Sequence, residues 1–192
     1  MAHRTEPEIV LVRHGETEWS LSGQHTGTTD VPLTDDGRRV AESLGERLGD
    51  REYAVVLSSP LIRSLDTARL AGYGEEVELR DELREWDYGA YEGLSTPQIR
   101  EKQPGWWLWR DGCPGGESAA QVGERADRVI ADLREVDGNA LVFAHGHILR
   151  VLAARWIGLE PGCGSRFGLE TATFSSLGVE RENAVIWMWN AP

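Results

Sequence analysis

The sequence predicts an α/β protein of a single domain, in which helices cover both faces of a mainly parallel open sheet in a three-layer α/β/α arrangement. Continuous apolar runs, IVLV (9–12) and ALVFA (140–144), are typical of strands buried on both faces. Helical patterns stand between the strand-like segments without an internal repeat, which favours a β/α alternation. The length of 192 residues fits one domain, which we expect to span residues 1–192.

The first half of the chain supplies two strands, two helices and one weaker strand signal. After IVLV, the segment TDDGRRVAESLGERLGD predicts a helix with Thr34 as its cap and acidic residues in its first turn. Its buried face is predicted to carry apolar residues at four-residue spacing: Val40, Leu44 and Leu48. YAVVLSS (53–59) predicts a second strand, and a second helix with Pro60 at its first position follows. EVEL (76–79) indicates a third strand less strongly.

The segment 88–116 is irregular and dense in glycine, proline and tryptophan. Linkers rarely carry tryptophan, so this composition favours a cover over an active site. Three tryptophans are expected to pack in the core or in this cover: Trp106, Trp107 and Trp109.

The second half returns to alternation. A long helix is predicted from Ser118 to Val136, with one apolar stripe. The strand ALVFA follows, and HILRVLAARWIG (147–158) predicts another helix. TATFSSLGVE (171–180) and AVIWMWN (184–190) close the sheet. AVIWMWN is either a simple outer strand or an edge that pairs with a second subunit in a homodimer.

Composition limits the partners. The chain has 20 Lys and Arg against 32 Asp and Glu, a net charge of −12, which disfavours nucleic acid and anionic membranes. A small anionic substrate therefore requires a local positive pocket. The apolar run in MAHRTEPEIVLV is too short for a signal peptide, and no run is long enough to span a membrane, so we expect a cytoplasmic protein. Cys113 and Cys163 are interpreted as incidental thiols, with a disulfide left open.

Basic residues follow three of the predicted strands at the point where each strand ends. They are Arg13 and His14 before Gly15, Arg63 after the second strand, and His145-Gly146-His147 after ALVFA. In open α/β sheets, ligands bind beyond the carboxyl ends of the strands, where the next helix begins. We therefore expect these side chains to converge on one site.

This residue set fits phosphoryl transfer. Arginine offers a planar fork of donors for phosphate oxygens, and a histidine among arginines is held neutral and nucleophilic. A leaving alkoxide needs a proton, for which Glu85 is the candidate, with Asp87 and Glu92 as rivals. Zinc chelation by His145 and His147 is the competing interpretation, although arginines at the same edge would repel a metal.

Four ordered segments resemble the signature blocks of the histidine phosphatase superfamily, also called phosphoglycerate-mutase-like: LVRHGETEWS, SSPLIRSLDTARLAG, LREWDYGAYEG and VFAHGHILRVL. The resemblance implies a three-layer fold, no metal and no cofactor. It implies that His14 is the nucleophile and that Glu85 is the general acid and base. It assigns the phosphate pocket to Arg13, Arg63 and His145.

Within the family, GQHTGTTDVPLT (23–34), YEGLSTPQIRE (91–101) and GCPGGES (112–118) look most like small acid phosphatases and sedoheptulose-bisphosphatase-like enzymes. Substrate contacts are expected from seven residues: Ser20, Gln24, His25, Thr26, Gly27, Gly146 and His147. Three departures from the family pattern stand out, of which one is His147 in place of a more frequent small residue, with its role open. Ser20 replaces a common asparagine, so a phosphate contact there is expected to be shorter or missing, and Asp66 replaces a common glutamine.

Three functions compete. The first is a metal-independent phosphatase that hydrolyses small phosphorylated metabolites, either sugar phosphates or a broad set, through a phosphohistidine. The second is a cofactor-dependent phosphoglycerate mutase, for which segment 88–116 offers few basic residues: Arg100, Lys102 and Arg110. The third is a non-catalytic protein that binds phosphorylated ligands, which has no need of an acid such as Glu85.

Overall fold

A six-stranded sheet runs through the computed structural model, which describes residues 7–49 and 51–192. The expectation that MAHRTEPEIVLV is not a signal peptide therefore concerns residues that lie partly outside the described ones. The strands are β1 (Ile9–Arg13), β2 (Val55–Ser58), β3 (Val77–Leu79), β4 (Ala140–Ala144), β5 (Phe174–Glu180) and β6 (Asn183–Ala191).

The strand order is β3-β2-β4-β1-β5-β6. The strands β3, β2, β4 and β1 pair in parallel, whereas β5 and β6 are antiparallel additions at one side. The prediction of a mainly parallel open sheet is therefore confirmed. Because β4 lies between β1 and β2, Arg13 at the end of β1 pairs with Ala144 at the end of β4. This register brings the two histidine-bearing strand ends side by side.

Seven α-helices accompany the sheet in the described part of the chain. They are α1 (Glu18–Ser22), α2 (Asp35–Leu48), α3 (Ile62–Ala68), α4 (Thr96–Lys102), α5 (Leu108–Asp111), α6 (Ala119–Arg134) and α7 (Gly146–Trp156). Every helix among the described residues is too short or too polar to traverse a lipid bilayer.

Helices pack on both faces of the sheet. Alternate residues of β1 enter different apolar clusters, since successive strand side chains point to opposite faces. Ile9 and Leu11 pack with the buried residues of α6 and α7. Val10 and Val12 pack with Leu44 and Ala68 of α2 and α3. The predicted three-layer arrangement is confirmed.

The buried face of α2 differs from the prediction at one position. Thr34 caps the helix, accepting a hydrogen bond from the Gly37 N–H at 2.9 Å, as expected. Val40, however, is 43% exposed, so its placement in the core was wrong. The buried residues instead follow a mixed spacing of three and four: Gly37, Ala41, Leu44 and Leu48. With 3.6 residues per turn, Ala41 rather than Val40 continues the stripe through Leu44 and Leu48.

The second helix also begins later than predicted, at Ile62 rather than at Pro60. The Ser59 N–H still donates to the Phe143 carbonyl of β4, and Leu61 after the proline keeps an extended backbone. The Ile62 N–H is then accepted by the Asp30 carboxylate at 2.6 Å. A cap from a distant loop therefore fixes the start of α3.

Other boundaries shift by a few residues. The strand β2 begins at Val55 instead of residue 53, and β3 has three residues instead of four. The long helix α6 keeps its Ser118 cap but ends at Arg134, so Val136 lies outside it. Cys113 and Cys163 are both free, which excludes the disulfide.

The segment 88–116 is more ordered than its sequence indicates. A 3₁₀ turn at Gly89–Tyr91 leads into α4 and α5. Trp106 and Trp109 are buried in the larger apolar cluster, as expected, whereas Trp107 is 45% exposed.

The corrected face of α2 can be tested by stability. Leu44→Ala removes a side chain with no exposed surface and should lower the free energy of unfolding by about 2–5 kcal/mol, because a cavity remains. Val40→Ala, the matched control on the same helix, should cost less than about 1 kcal/mol. Urea denaturation measures both. Equal losses of stability in the two variants would indicate that Val40 is buried and would contradict this assignment.

Candidate active site

The His14 ring lies at the end of β1 and is held by the turn that follows. Its Nδ1 is 2.7 Å from the Gly15 carbonyl oxygen. A carbonyl only accepts hydrogen bonds, so Nδ1 carries the proton and Nε2 of the neutral ring keeps its lone pair. The His14 backbone donates to Ala144 and accepts from Ala172. The ring is therefore oriented with its unprotonated nitrogen available for attack.

Close packing behind His14 depends on glycine. The Gly15 N–H donates to Thr67 Oγ1 at 2.9 Å. A Cβ at position 15 would stand 2.7 Å from the carbonyl oxygen of Gly37, in the first turn of α2. The absence of a side chain lets the His14 turn lie against that helix.

The surroundings of His14 oppose its protonation. Burial, followed by the charges of Arg63 and Arg13, holds its pKa well below the usual value of 6.5. His145 lies beside it, with ring centroids 5.0 Å apart, and burial and Arg63 lower its pKa in the same way. Both rings are thus neutral in the folded protein at neutral pH.

Arg63 is completely buried beneath the site. Its Nε donates to Nδ1 of His145 at 3.1 Å, which leaves the proton of that ring on Nε2. His145 Nε2 in turn donates to Ser59 Oγ at 2.7 Å. Both nitrogens of His145 are therefore hydrogen-bonded to protein groups in this unliganded state, and one of these bonds joins the ring directly to Arg63.

The ends of the Arg63 fork are held by three backbone carbonyls. Nη1 donates to Thr29 O at 2.9 Å, and Nη2 donates to Thr26 O at 3.0 Å and to Gly27 O at 3.1 Å. Burial lowers the Arg63 pKa, and the nearby Glu85 charge opposes this effect. The residues 26–29 thus act as a cradle for the guanidinium.

Arg13 reaches the same site from β1. Its Nη1 donates to the carbonyl of Leu169, whereas its buried Nε has no hydrogen-bond partner among the described residues. A Cβ at Gly146 would stand 3.4 Å from this Nε and 3.7 Å from Glu85 Oε2. The glycine therefore keeps a narrow space open between a cation and a carboxylate.

Glu85 lies at the N-terminus of α7. Its carboxylate accepts backbone N–H groups from Trp86, His147 and Ile148 at 2.9–3.2 Å. Burial acts to raise the pKa of this carboxyl, but its hydrogen bonds and the adjacent His147 and His145 outweigh burial and hold the pKa well below 4.5. The group is ionised in the unliganded protein.

An aromatic wall faces Glu85 across the site. The Tyr88 hydroxyl is 2.7 Å from Nδ1 of His147, and burial raises the Tyr88 pKa well above 10, so the phenol stays protonated. His25 packs on Tyr88 with ring centroids 4.6 Å apart. Burial lowers the His25 pKa to about 4. The wall therefore carries little charge of its own.

These groups border a cavity of about 200 Å³. Nine predicted site residues line it: Arg13, His14, Ser20, Gln24, His25, Thr26, Glu85, Gly146 and His147. Arg63 and His145 lie directly beneath, with no exposed surface. Gly27 faces away from this cavity and contributes its carbonyl to Arg63.

Sequence reasoning missed several residues of the lining: Thr17, Trp19, Gly23, Tyr88, Arg150 and Leu169. Tyr88 and Arg150 stand within three to five residues of Glu85 and His145, so proximity in sequence was an available signal. Leu169 comes from a distant loop that no local pattern marks.

Two of the departures from the family pattern, Ser20 and Asp66, have local effects. Ser20 bonds Thr17 within α1 at 2.8–3.1 Å and lines the cavity with a short side chain. The Asp66 Oδ1 forms an ion pair with Nη1 of the exposed Arg69 at 3.2 Å.

The zinc interpretation has no geometric support among residues 7–49 and 51–192. Within them, no three His, Cys, Asp or Glu side chains are arranged to hold a metal ion. His145 is committed to Arg63 and Ser59, and His147 to Tyr88.

Comparison with known proteins was made for sequence and structure. The family described as the histidine phosphatase superfamily (branch 1) matches residues 9–192. An acid phosphatase of Mycobacterium tuberculosis is 47% identical over 191 residues, covering 96% of this chain and 94% of that protein. A sedoheptulose 1,7-bisphosphatase of Saccharomyces cerevisiae is 40% identical over 185 residues, covering 80% of this chain and 68% of that protein.

The fold has a similar counterpart among solved structures. The structure of an open reading frame of Mycobacterium tuberculosis superimposes with a TM-score of 0.91 at 44% identity, covering 98% of each chain.

The neutrality of His14 can be measured directly. Because its pKa is lowered, the ring should stay unprotonated as the pH falls through 6.5, where an ordinary histidine is half protonated. NMR titration of ¹³C-labelled histidine, with His14→Gln to assign the signal, tests this. The urea-unfolded protein is the control and should titrate near 6.5. A folded-state midpoint for His14 at or above 6.5 would contradict the site electrostatics.

Proposed function

Because the chain belongs to branch 1 of the histidine phosphatase superfamily, we propose that it is a metal-independent phosphatase that hydrolyses small phosphomonoesters through a phosphohistidine. The observation that carries the proposal is the His14 ring. Its Nδ1 donates to the Gly15 carbonyl, so its Nε2 carries no proton, and the charges of Arg63 and Arg13 lie close to it. The acid phosphatase and sugar-bisphosphatase relatives support this activity.

The first chemical step transfers the phosphoryl group to the protein. The charges of Arg13 and Arg63 stabilise the phosphoryl oxygens, whose charge redistributes in the transition state. We also assign to these oxygens a hydrogen bond from the Nε2–H of His145, which is donated to Ser59 Oγ in the unliganded protein. Nε2 of His14 forms a bond to phosphorus as the ester P–O bond breaks. The leaving alkoxide takes a proton from Glu85, which becomes a carboxylate.

The second step restores the protein. A water molecule attacks the phosphorus and breaks the N–P bond. Glu85 accepts a proton from that water, so that inorganic phosphate leaves and His14 returns to its neutral form. The same carboxyl therefore serves as acid and then as base.

The ionisation of Glu85 sets a condition on the first step. In the unliganded protein its pKa is held well below 4.5, so the acid form is scarce at neutral pH. A bound phosphate adds negative charge beside the carboxylate, which raises its pKa and favours the protonated form. The lowered pKa of His14 keeps the nucleophile neutral as the pH falls below 6.5.

The cavity suits small, hydroxylated esters. Its volume of about 200 Å³ leaves room for a compact metabolite. Beyond the phosphate site, polar side chains of Ser20, Gln24 and His25 face the cavity together with the Trp19 ring. Hydroxyl, amide and imidazole groups beside an aromatic face are suited to a sugar phosphate, so this is the substrate class we propose.

The mutase alternative receives less support. The Arg100 Nε bonds the Trp106 carbonyl, and Arg110 bonds Asp111 and the Gly105 carbonyl. Lys102 is exposed. The cavity lining in the described part of the chain includes none of these three basic residues, so segment 88–116 contributes no cation there to retain a phosphoglycerate. A pure binding role leaves the placement of Glu85 without a purpose.

The proposal extends to the setting of the protein. We place it in the cytoplasm, acting on small metabolites and not on nucleic acid, since its net charge is −12. Segment 88–116 serves as the cover of the active site within one domain spanning 1–192. The outer strand β6 is the edge through which a homodimer would form.

Phosphate release in the presence of EDTA tests the activity. The panel contains nitrophenyl phosphate, sedoheptulose bisphosphate, fructose bisphosphate and 3-phosphoglycerate, and His14→Ala is the control. Release that persists with the chelator and disappears in His14→Ala is expected, with a sugar phosphate above 3-phosphoglycerate. No release from any member would refute the phosphatase.

The acid role of Glu85 predicts a dependence on the leaving group. Glu85→Gln cannot donate a proton, so kcat for an alkyl phosphate should fall by about 10²–10⁴-fold. For nitrophenyl phosphate, whose leaving group needs little protonation, the loss should be much smaller. Steady-state kinetics on both esters measures the difference. Equal losses would assign the proton transfer to another carboxyl.

A further inference from the structure

The direction of the Arg63 fork is set by the cradle at residues 26–29. The guanidinium is planar and its donors are fixed in one plane, so their acceptors determine where the group points. Three acceptors are backbone carbonyls of Thr26, Gly27 and Thr29, and the fourth is His145. Any shift of the cradle therefore moves the buried cation under the phosphate site.

The cradle has no regular secondary structure of its own, and one side chain from another segment binds it. The Glu92 carboxylate accepts the Gly27 N–H with both oxygens, at 2.9 and 3.0 Å. Its Oε1 also accepts the Thr29 N–H at 3.0 Å. Two residues of the cradle thus donate to Glu92 on one side and accept from Arg63 on the other.

The contact is close and depends on Gly27. A Cβ at position 27 would stand 2.5 Å from the Trp86 carbonyl oxygen and 2.8 Å from Glu92 Oε2. Neighbouring ties join the same two segments at other residues. The His25 backbone bonds Leu94 and Gly93, and the Gln24 amide bonds the Gly93 carbonyl at 2.7 Å. Those hydrogen bonds hold residues 24 and 25. Glu92 instead binds Gly27 and Thr29, whose carbonyls accept from Arg63.

The charge of Glu92 has the right sign for this position. Arg63 is buried, which disfavours its cation, and the Glu92 carboxylate is among the charges that oppose the lowering of its pKa. Ionised carboxylates form stronger hydrogen bonds to backbone N–H groups than neutral acceptors do. A carboxylate therefore serves the cradle better than an amide of the same length.

We propose that Glu92 is a positioning residue, which holds the 26–29 cradle by its carboxylate and through it aims the Arg63 guanidinium at the phosphate. The proposal rests on the proposed function only in taking Arg63 as part of a phosphate site. It gives Glu92, a rival of Glu85 for the acid role, a different task, because its two oxygens are occupied by backbone donors. It also joins segment 88–116 to phosphate binding.

Affinity for inorganic phosphate is the readout, since it does not require turnover. Phosphate is titrated into the full chain and followed by the NMR signal of His14. Glu92→Ala should raise the Kd by roughly tenfold or more, because the cradle loses a charged acceptor. Glu92→Gln keeps one acceptor oxygen and should give an intermediate Kd. Glu101→Gln removes a charge from an exposed position of the same segment and is the matched control.

Combination with Arg63→Ala separates positioning from a general structural effect. If Glu92 acts through Arg63, Glu92→Ala should change the Kd by less than about twofold once Arg63 is absent. An equal change in both backgrounds would overturn the proposal, as would an unchanged Kd in Glu92→Ala. If Glu92→Ala does not fold, the comparison is made with Glu92→Gln, and a wild-type Kd there overturns it.

The outcome stays distinct from that of the proposed function. A chain that binds phosphate with the expected Glu92 dependence but hydrolyses no ester would refute the phosphatase and leave the positioning role intact. If the chain hydrolyses esters and its Kd for phosphate does not depend on Glu92, the phosphatase proposal stands and the positioning role of Glu92 is refuted.

Discussion

The parallel pairing of β1 with β4 is the constraint on which the site depends. It places Arg13 opposite Ala144, so that His14 and His145 emerge from adjacent strands in the same direction. Neither strand end alone makes an anion site. The register also puts the N-terminus of α7 beside the end of β1, and the Glu85 carboxylate accepts backbone N–H groups from the first turn of that helix.

Burial of charge gives the site its electrostatic character. Arg63 is fully buried, Glu85 is nearly so, and Arg13 is partly buried. Such groups are stable only when their hydrogen bonds are satisfied, and here backbone carbonyls and N–H groups supply most of the partners. The backbone therefore provides much of the polarity, while His14 and His145 stay neutral among the charges.

The sequence predicted the parts of this arrangement that follow from pattern. Apolar runs located β1 and β4, and the basic residues after them located one side of the cavity. It could not predict which carbonyls would bind Arg63, because backbone contacts over more than 30 residues leave no side-chain signature. Val40 was misplaced since a spacing of four fits the letters as well as the true stripe does. The start of α3 depends on Asp30, a contact that only the folded chain creates.

The division of labour between strand ends and loops has an evolutionary consequence. Arg63, His145 and Ser59 lie beneath the cavity and hydrogen-bond to one another, so a substitution at one of them disturbs the others. Ser20 and Gln24 face the cavity from α1 and the loop after it, outside every strand. Substitutions at such positions can change which alcohol portion of a phosphate ester is accepted, while the phosphoryl chemistry is inherited unchanged. A single fold can then acquire new substrates after gene duplication.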